Sequence, residues 1–342
     1  MKPMRPKKDA LEAFGDIVMP ADAQEPILSA PVRGALLEWL TEIWSVDDLK
    51  AVGIAPRQRA LFFGAPGTGK TTLAHHMAAR IGLPMLIVRP ERIVDMWMGA
   101  TGRNIGALFD MAKNESEGGE GPVVLFFDEF EALGAARKAG ARDAQQERNA
   151  ALNTLLQRIE AHDGIVIAAT NLASDIDPAL WRRFSVHLHI DVPDQREREL
   201  ILHRYLLPFG LPADQLRALA ESLSTASPAL IRSFCEALKR TMVLGDQLGW
   251  DMRREAVIDR ILSSVEPHPD LGKPRLWALG NKDRGAQIMD WPLRGGAVVL
   301  AEARGDSSPA PAAPPSTDAR HFGTDQESID NYFQHLHESL IG

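Results

Sequence analysis

The chain has 342 residues, 45% of them hydrophobic and 25% charged, enough for about two domains with cores of their own. Acidic residues (46) outnumber basic ones (38), and the net charge of −8 argues against a molecule that binds nucleic acid or membrane surfaces through bulk charge. Cys235 is the single cysteine, which excludes an internal disulfide and suits a reducing compartment. No apolar run approaches the ~18 residues of a membrane span. The basic start MKPMRPKK leads into DALEAFGD and not into an apolar signal core, so a cytoplasmic protein is expected.

Residues 1–55 read as a lead-in containing a helical stretch, PVRGALLEWLTEIW, with Leu36, Leu37, Leu40 and Ile43 at helix spacing. Residues 56–192 alternate short apolar runs with helical patterns. The runs at 60–63, 84–88, 123–127 and 164–170 are continuous, as in strands buried on both faces. VHLHI (186–190) alternates, which suits an edge strand. The expectation is an α/β fold of the P-loop NTPase kind, three layers deep, with a parallel sheet between helices.

Residues 193–266 turn wholly helical and predict a small lid domain. Residues 267–304 are ambiguous, with a possible strand in GAVVLAEA. Residues 305–320 form a Pro/Ala/Ser linker, expected to be disordered. Residues 321–342 predict an amphipathic helix, with Thr324 and Glu327 as a capping box and Ile329, Tyr332, Phe333 and Leu336 as its apolar stripe. That stripe can dock on its own chain or on a partner protein.

GAPGTGKT, Gly64 to Thr71, fits G-x-x-x-x-G-K-[ST] between a buried strand and a helix beginning TTLAHHM. Gly64, Gly67 and Gly69 let the backbone wrap phosphate oxygens, with Ala65, Pro66, Thr68 and Thr72 completing the cradle. Lys70 is expected on the β and γ phosphates of ATP, and the Thr71 hydroxyl on Mg²⁺. His75 and His76 follow in the helix and read as structural. VVLFFDEF ends in Asp128 and Glu129. A carboxylate at a strand tip can hold Mg²⁺ through water, and its neighbour can polarise the attacking water.

Over roughly residues 13–265 the chain resembles an AAA+ ATPase of the AAA group of ring-forming protein remodellers. ERNAALNTLL (147–156) is similar to the matching segment of membrane-bound AAA proteases. The resemblance makes Asn171, at the end of IVIAATN, a sensor 1 residue that orients water. Within DIDPALWRRFSVHLHIDVPD it makes Arg182 and Arg183 arginine fingers acting on a neighbouring subunit. FGDIVMP resembles the adenine-reading segment, which implies base contacts at Asp16, Ile17 and Val18. MWMGATGRNIGALFDMA resembles the first pore loop and its helix, implying that Trp97, Met98 and Gly99 grip polypeptide in the ring channel. ARKAGARDAQQER (136–148) would supply the second loop.

The sequence departs from that family at three places. Tyr205 stands where a histidine near adenine is usual, and SPAL (227–230) replaces SGAD. There is also no His-Glu-x-x-His, so the fused zinc protease of the membrane-bound relatives is missing. The resemblance implies a homo-oligomeric, hexameric Mg²⁺-dependent ATPase that unfolds or disassembles protein clients by threading. Two alternatives stay open. One is a nucleic-acid remodeller such as a loader or transposition regulator. The other is an ATP-state switch that controls a partner enzyme through the tail.

Overall fold

A computed structural model describes residues 11–93, 100–117, 122–130, 153–171 and 178–293. The Trp97-Met98-Gly99 loop, the second-loop segment, the GAVVLAEA run, the Pro/Ala linker and the C-terminal amphipathic stretch lie outside them.

The architecture is built on a six-stranded sheet. Its strands are β1 (Gly15–Val18), β2 (Arg59–Phe63), β3 (Met85–Val88), β4 (Val124–Phe127), β5 (Val166–Thr170) and β6 (Val186–His189), in the order β1-β3-β4-β5-β2-β6. The pairs β3–β4, β4–β5, β5–β2 and β2–β6 are parallel, as the alternating text predicted. The sixth strand, β1, was not predicted. It pairs antiparallel with β3, Gly15 opposite Val88, and extends the sheet at the edge away from β2. Gly15 is needed there because a Cβ would drive into the Ile87 carbonyl.

The continuous apolar runs fill both faces. Leu61, Leu86, Leu125, Phe127, Val166 and Ala168 point into one core layer. Ala60, Phe62, Met85, Val124, Phe126 and Ile167 point into the other. Alternate residues of one strand therefore serve opposite layers, and neither face reaches water. Each of the large side chains contributes about 1.5–3 kcal/mol by burial. Helix α1 (Ala30–Trp44) buries Leu36, Trp39 and Leu40 in the second layer. Trp39 meets Phe62 edge-on, 6.4 Å between centroids, and its indole N–H donates to the Arg57 carbonyl at 2.7 Å. Short α2 (Val46–Ala51) follows it.

Helix α3 (Lys70–Arg80) leaves the phosphate loop with Leu73, Ala74 and Met77 in the same layer. The other layer is covered by α4 (Pro90–Ile93), α5 (Ala100–Glu117) and the helical residues 153–161, through Ile93, Ile105, Leu108, Leu155 and Ile159. The short α6 (Pro178–Trp181) leads into β6.

The helical domain begins with α7 (Gln195–Leu206). Asp194 caps it, accepting from Glu197 N–H at 2.8 Å, while the Glu197 carboxylate accepts from Asp194 N–H at 2.8 Å. Helices α8 (Ala213–Ser222), α9 (Pro228–Leu244) and α10 (Arg254–Ser264) close round Leu202, Leu219, Ile231, Phe234, Leu238 and Ile258. The ambiguous segment resolves in part: α11 (Arg275–Leu279) and α12 (Arg284–Ile288) put Leu276, Ala286, Met289 and Leu293 into that same core. The helical domain thus continues past 266 to at least 293. Asp283, wholly buried, secures the addition by accepting from the Ser222 hydroxyl and from Gly285 N–H at 2.8 Å. Gly285 sits so close to α8 that a Cβ would meet the Ser222 hydroxyl.

Candidate nucleotide site

Strands β4, β5 and β2 are neighbours in the sheet, with Phe127 opposite Ala168 and Phe63 opposite Thr170. Their C-terminal tips therefore lie side by side. Asp128 and Glu129 leave β4, Asn171 leaves β5, and Gly64 leaves β2. Three stretches far apart in sequence meet because parallel strands end at the same edge.

The loop from Gly64 to Gly69 turns through positive φ at Gly64, Gly67 and Gly69. At Gly64 a Cβ would strike the Ile190 carbonyl; at Gly67, with φ of 75°, it would meet Ala229 Cβ at 2.9 Å and Ser227 Oγ at 3.0 Å. Lys70 is buried, at 6% exposure, and its ammonium donates to the Gly64 and Ala65 carbonyls at 2.8 and 2.9 Å. The Thr68 hydroxyl also donates to Ala65 O, at 2.9 Å. The lysine is thus curled under its own loop, at the start of a helix whose N-terminal N–H groups attract anions.

The Thr71 hydroxyl donates to Asp128 Oδ2 at 2.7 Å, so the helix start and the acidic strand tip are in direct contact. Both offer hard oxygen donors, the type Mg²⁺ takes. Asp128 Oδ1 accepts from Glu129 N–H at 3.0 Å. Glu129 has φ of 47°, the one positive value among the described non-glycine residues. A left-handed glutamate carries about 1–3 kcal/mol of strain, which the surrounding structure must hold in place. Asn171 is half-buried at its strand tip.

The helical domain touches the loop directly. Ser227 caps α9, accepting from Leu230 N–H at 3.2 Å, and Ala229 N–H at the start of that helix donates to the Gly67 carbonyl at 3.2 Å. Beside this contact a cleft is lined by Pro26, Ile27, Leu28, Thr72, Ile201 and Tyr205. Arg204, next to Tyr205, donates to Glu25 O at 2.5 Å and ties the segment to the helical domain. His75 is hydrogen-bonded to Met19 O at 2.8 Å, a structural contact. Glu197 also faces the cleft; burial pushes its carboxyl up, opposed by its bond from the Asp194 backbone.

Asp16, Ile17 and Val18 do not reach this cleft. They form β1, four strand spacings from β2, about 19 Å at ~4.8 Å per strand. Asp16 is ion-paired to Arg89 at 2.6 Å and Arg92 at 3.3 Å, and the Arg89 guanidinium holds its carboxyl below the usual range. The lead-in residues that line the cleft are those of the stretch 24–29 and not the 16–18 expected at the base. The apolar triplet Pro26-Ile27-Leu28 before the helix start at Ser29 was the signal for it. Tyr205 lines the cleft.

Arg182 is exposed on the turn after α6, and Arg183 is ion-paired with Glu160. Trp97, Met98 and Gly99 are outside the described residues.

Residues 60–192 match the family described as "ATPase family associated with various cellular activities (AAA)". This segment is an AAA domain. The AAA family ATPase y4kL of Sinorhizobium fredii is 34% identical over 197 residues, 57% of each chain. ATP-dependent zinc metalloprotease FtsH 1 of Symbiobacterium thermophilum is 34% identical over 177 residues, 50% of this chain and 29% of that one. The proteasome-activating nucleotidase of Methanopyrus kandleri is 31% identical over 227 residues, 62% of this chain and 51% of that one. The chain thus spans from 29% to 57% of the length of these three curated relatives. In structure it is similar to the FIGL-1 AAA domain crystallised with ADP, with a TM-score of 0.59, 19% identity and coverage of 78% of this chain and 93% of that one. At that identity the match speaks for the AAA fold. No helix among the described residues is long and apolar enough to cross a membrane.

Proposed function

We propose that the chain is a Mg²⁺-dependent ATPase that works as a homo-oligomeric ring, with six subunits, and remodels protein clients by drawing polypeptide through its pore. The observation that carries the ATPase reading is the 2.7 Å contact between Thr71 and Asp128, made beside the curled Lys70. It joins the phosphate loop and the acidic strand tip in the way metal-assisted phosphoryl transfer requires.

On this reading the Lys70 ammonium exchanges its two loop carbonyls for the β and γ phosphate oxygens of ATP. Loop N–H groups from Gly64 to Thr72 hold the remaining phosphate charge. Thr71 and Asp128 would hold Mg²⁺, whose positive charge would offset the negative charge of the phosphate oxygens. Glu129 takes the proton of the attacking water, and its strained backbone fixes the carboxylate direction. Asn171 orients that water. The stretch 24–29 and Tyr205 receive the base, and the turn that carries Arg182 and Arg183 completes the neighbouring subunit's site. The likeness to FtsH and proteasome-activating nucleotidase supports protein as the client class. The acidic balance disfavours a nucleic-acid client.

The test is capture. Glu129→Gln protein loaded with ATP should retain protein clients, and Glu129→Gln/Trp97→Ala should lose them. Retained nucleic acid, or one stoichiometric partner indifferent to Trp97, would overturn threading and favour the loader or the switch. Lys70→Ala should abolish nucleotide binding, and wild-type binding affinity in that variant would refute the site itself.

A further inference from the structure

We propose that Arg182 alone is presented to a neighbouring subunit's nucleotide, while Trp181, Arg183 and Glu160 are positioning residues that hold it out. This rests on the reading above that the site is completed in trans. It separates two adjacent arginines that the motif treats alike.

The turn is fastened on both sides of Arg182. On one side Trp181 stacks flat on His187, 3.8 Å between centroids at 11°, and the His187 ring is hydrogen-bonded to the Trp181 carbonyl at 2.9 Å. Trp181 also meets Phe63 edge-on, 5.4 Å between centroids. On the other side Arg183 is ion-paired with Glu160, and Phe184, buried at 2% exposure, packs edge-on against Phe130 at 6.2 Å. Arg182 is exposed and has no ion pair among the described residues. Its backbone N–H is spent on the Pro178 carbonyl at 3.3 Å, so only its side chain projects.

The two guanidinium groups are therefore unlike. A guanidinium already bonded to a carboxylate in its own chain must break that pair before it can serve a phosphate elsewhere, while an unpaired one keeps its donor fork available. The anchors also have meaningful neighbours. Phe63 directly precedes Gly64 of the phosphate loop, and Phe130 directly follows Glu129. The turn thus packs on residues flanking both halves of its own subunit's site. A shift at either half moves the platform of Arg182, and through it the next subunit's site.

The test is ATP turnover by the full chain, with nucleotide binding to each variant as the folding control. Arg182→Ala should cut kcat by about 10³-fold or more, with Arg182→Lys no better, since a point charge lacks the fork. Arg183→Ala and Glu160→Gln should each cut kcat by about 10-fold through displacement of Arg182, with KM unchanged. Because they share one interaction, the double variant should fall no further than either single. Trp181→Ala should lose turnover and Trp181→Phe should recover it. The proposal is overturned if Arg183→Ala costs as much as Arg182→Ala, or if Glu160→Gln leaves kcat untouched. The trans reading is tested separately by mixing Arg182→Ala with Glu129→Gln subunits. Recovered turnover supports it, because an intact finger then meets an intact site. No recovery refutes completion in trans, whatever the single variants show.

Discussion

Two glycines allow the seating of the helical domain on the phosphate loop to be measured. Gly67 and Gly82 both have φ of 75°. At Gly82 a Cβ would meet nothing within 4 Å; at Gly67 it would lie 2.9 Å from Ala229 Cβ and 3.0 Å from Ser227 Oγ. Alanine at either position takes the left-handed backbone penalty, about 1–2 kcal/mol. Only at Gly67 does it also push against the start of α9, whose Ala229 N–H is bonded to Gly67 O. Both neighbours are short side chains fixed at a helix N-terminus, so neither can swing aside. Overpacking of this kind adds about 1–3 kcal/mol. Gly82→Ala should therefore cost about 1–2 kcal/mol and Gly67→Ala about 2–5 kcal/mol. The assay is urea unfolding of the nucleotide-free protein, followed at the tryptophans. The difference between the two variants, and not either loss alone, reports the seat. Equal losses would refute the direct contact between loop and helical domain. An Ala229→Gly/Gly67→Ala double variant should recover part of the excess, because it removes the nearer of the two obstructing atoms.

Four further outcomes are expected. Glu129→Gly should abolish turnover yet raise stability by about 1–3 kcal/mol, since it relieves the left-handed glutamate; a loss of stability in calorimetry would count against stored strain. Asp283→Ala should destabilise the helical domain by about 1–3 kcal/mol, by removing the acceptor for Ser222 and Gly285, and should open residues 267–293 to proteolysis. Resistance equal to wild type would show that α11 and α12 hold without it. Burial pushes the Cys235 thiol up to about 12, so it should resist iodoacetamide at pH 8 in the native state and react on unfolding. Fast native labelling would refute the closed core round α9. Thr71→Ala should raise the Mg²⁺ concentration needed for half-maximal turnover more than it weakens nucleotide binding without metal; equal effects on both would place Thr71 away from the ion.

The fold was legible where burial on both faces wrote continuous apolar runs. Four such runs became β2 to β5, and alternating VHLHI became the edge strand β6. β1 escaped because four residues, GDIV, carry too little pattern, and because an antiparallel edge strand is fixed by partners distant in sequence. Arg89 and Arg92 bind Asp16, and Arg92 also donates to the carbonyls of Glu12 and Gly15 at 2.7 and 2.9 Å. The helical character of 267–293 was hidden for a similar reason. Its helices are 5 residues each and draw stability from insertion into a core already formed by α8, α9 and α10.

The site was legible to the extent that its chemistry is local. GAPGTGKT carries its own turn, donors and helix start, and it folds as those residues dictate. The meeting of Thr71 with Asp128 needs sheet order as well, which the strand text, arguing only a parallel sheet, left open. The stretch facing Tyr205 could not be read the same way. DIV and PIL are both short segments of the lead-in with two aliphatic residues each, and local pattern does not say which one crosses beside the loop. That is decided by contacts from elsewhere: Arg89 and Arg92 take Asp16 to the far edge, and Arg204 takes Glu25 to the helical domain. The adjacent arginines pose the same problem at finer scale. Sequence gives them equal standing, and the difference between them lies in Glu160, 23 positions upstream of Arg183, which pairs with one and not the other. Where a residue's role depends on which group a distant carboxylate neutralises, only the folded chain distinguishes the candidates, and turnover by Arg182→Lys and Glu160→Gln is the direct reading of that choice.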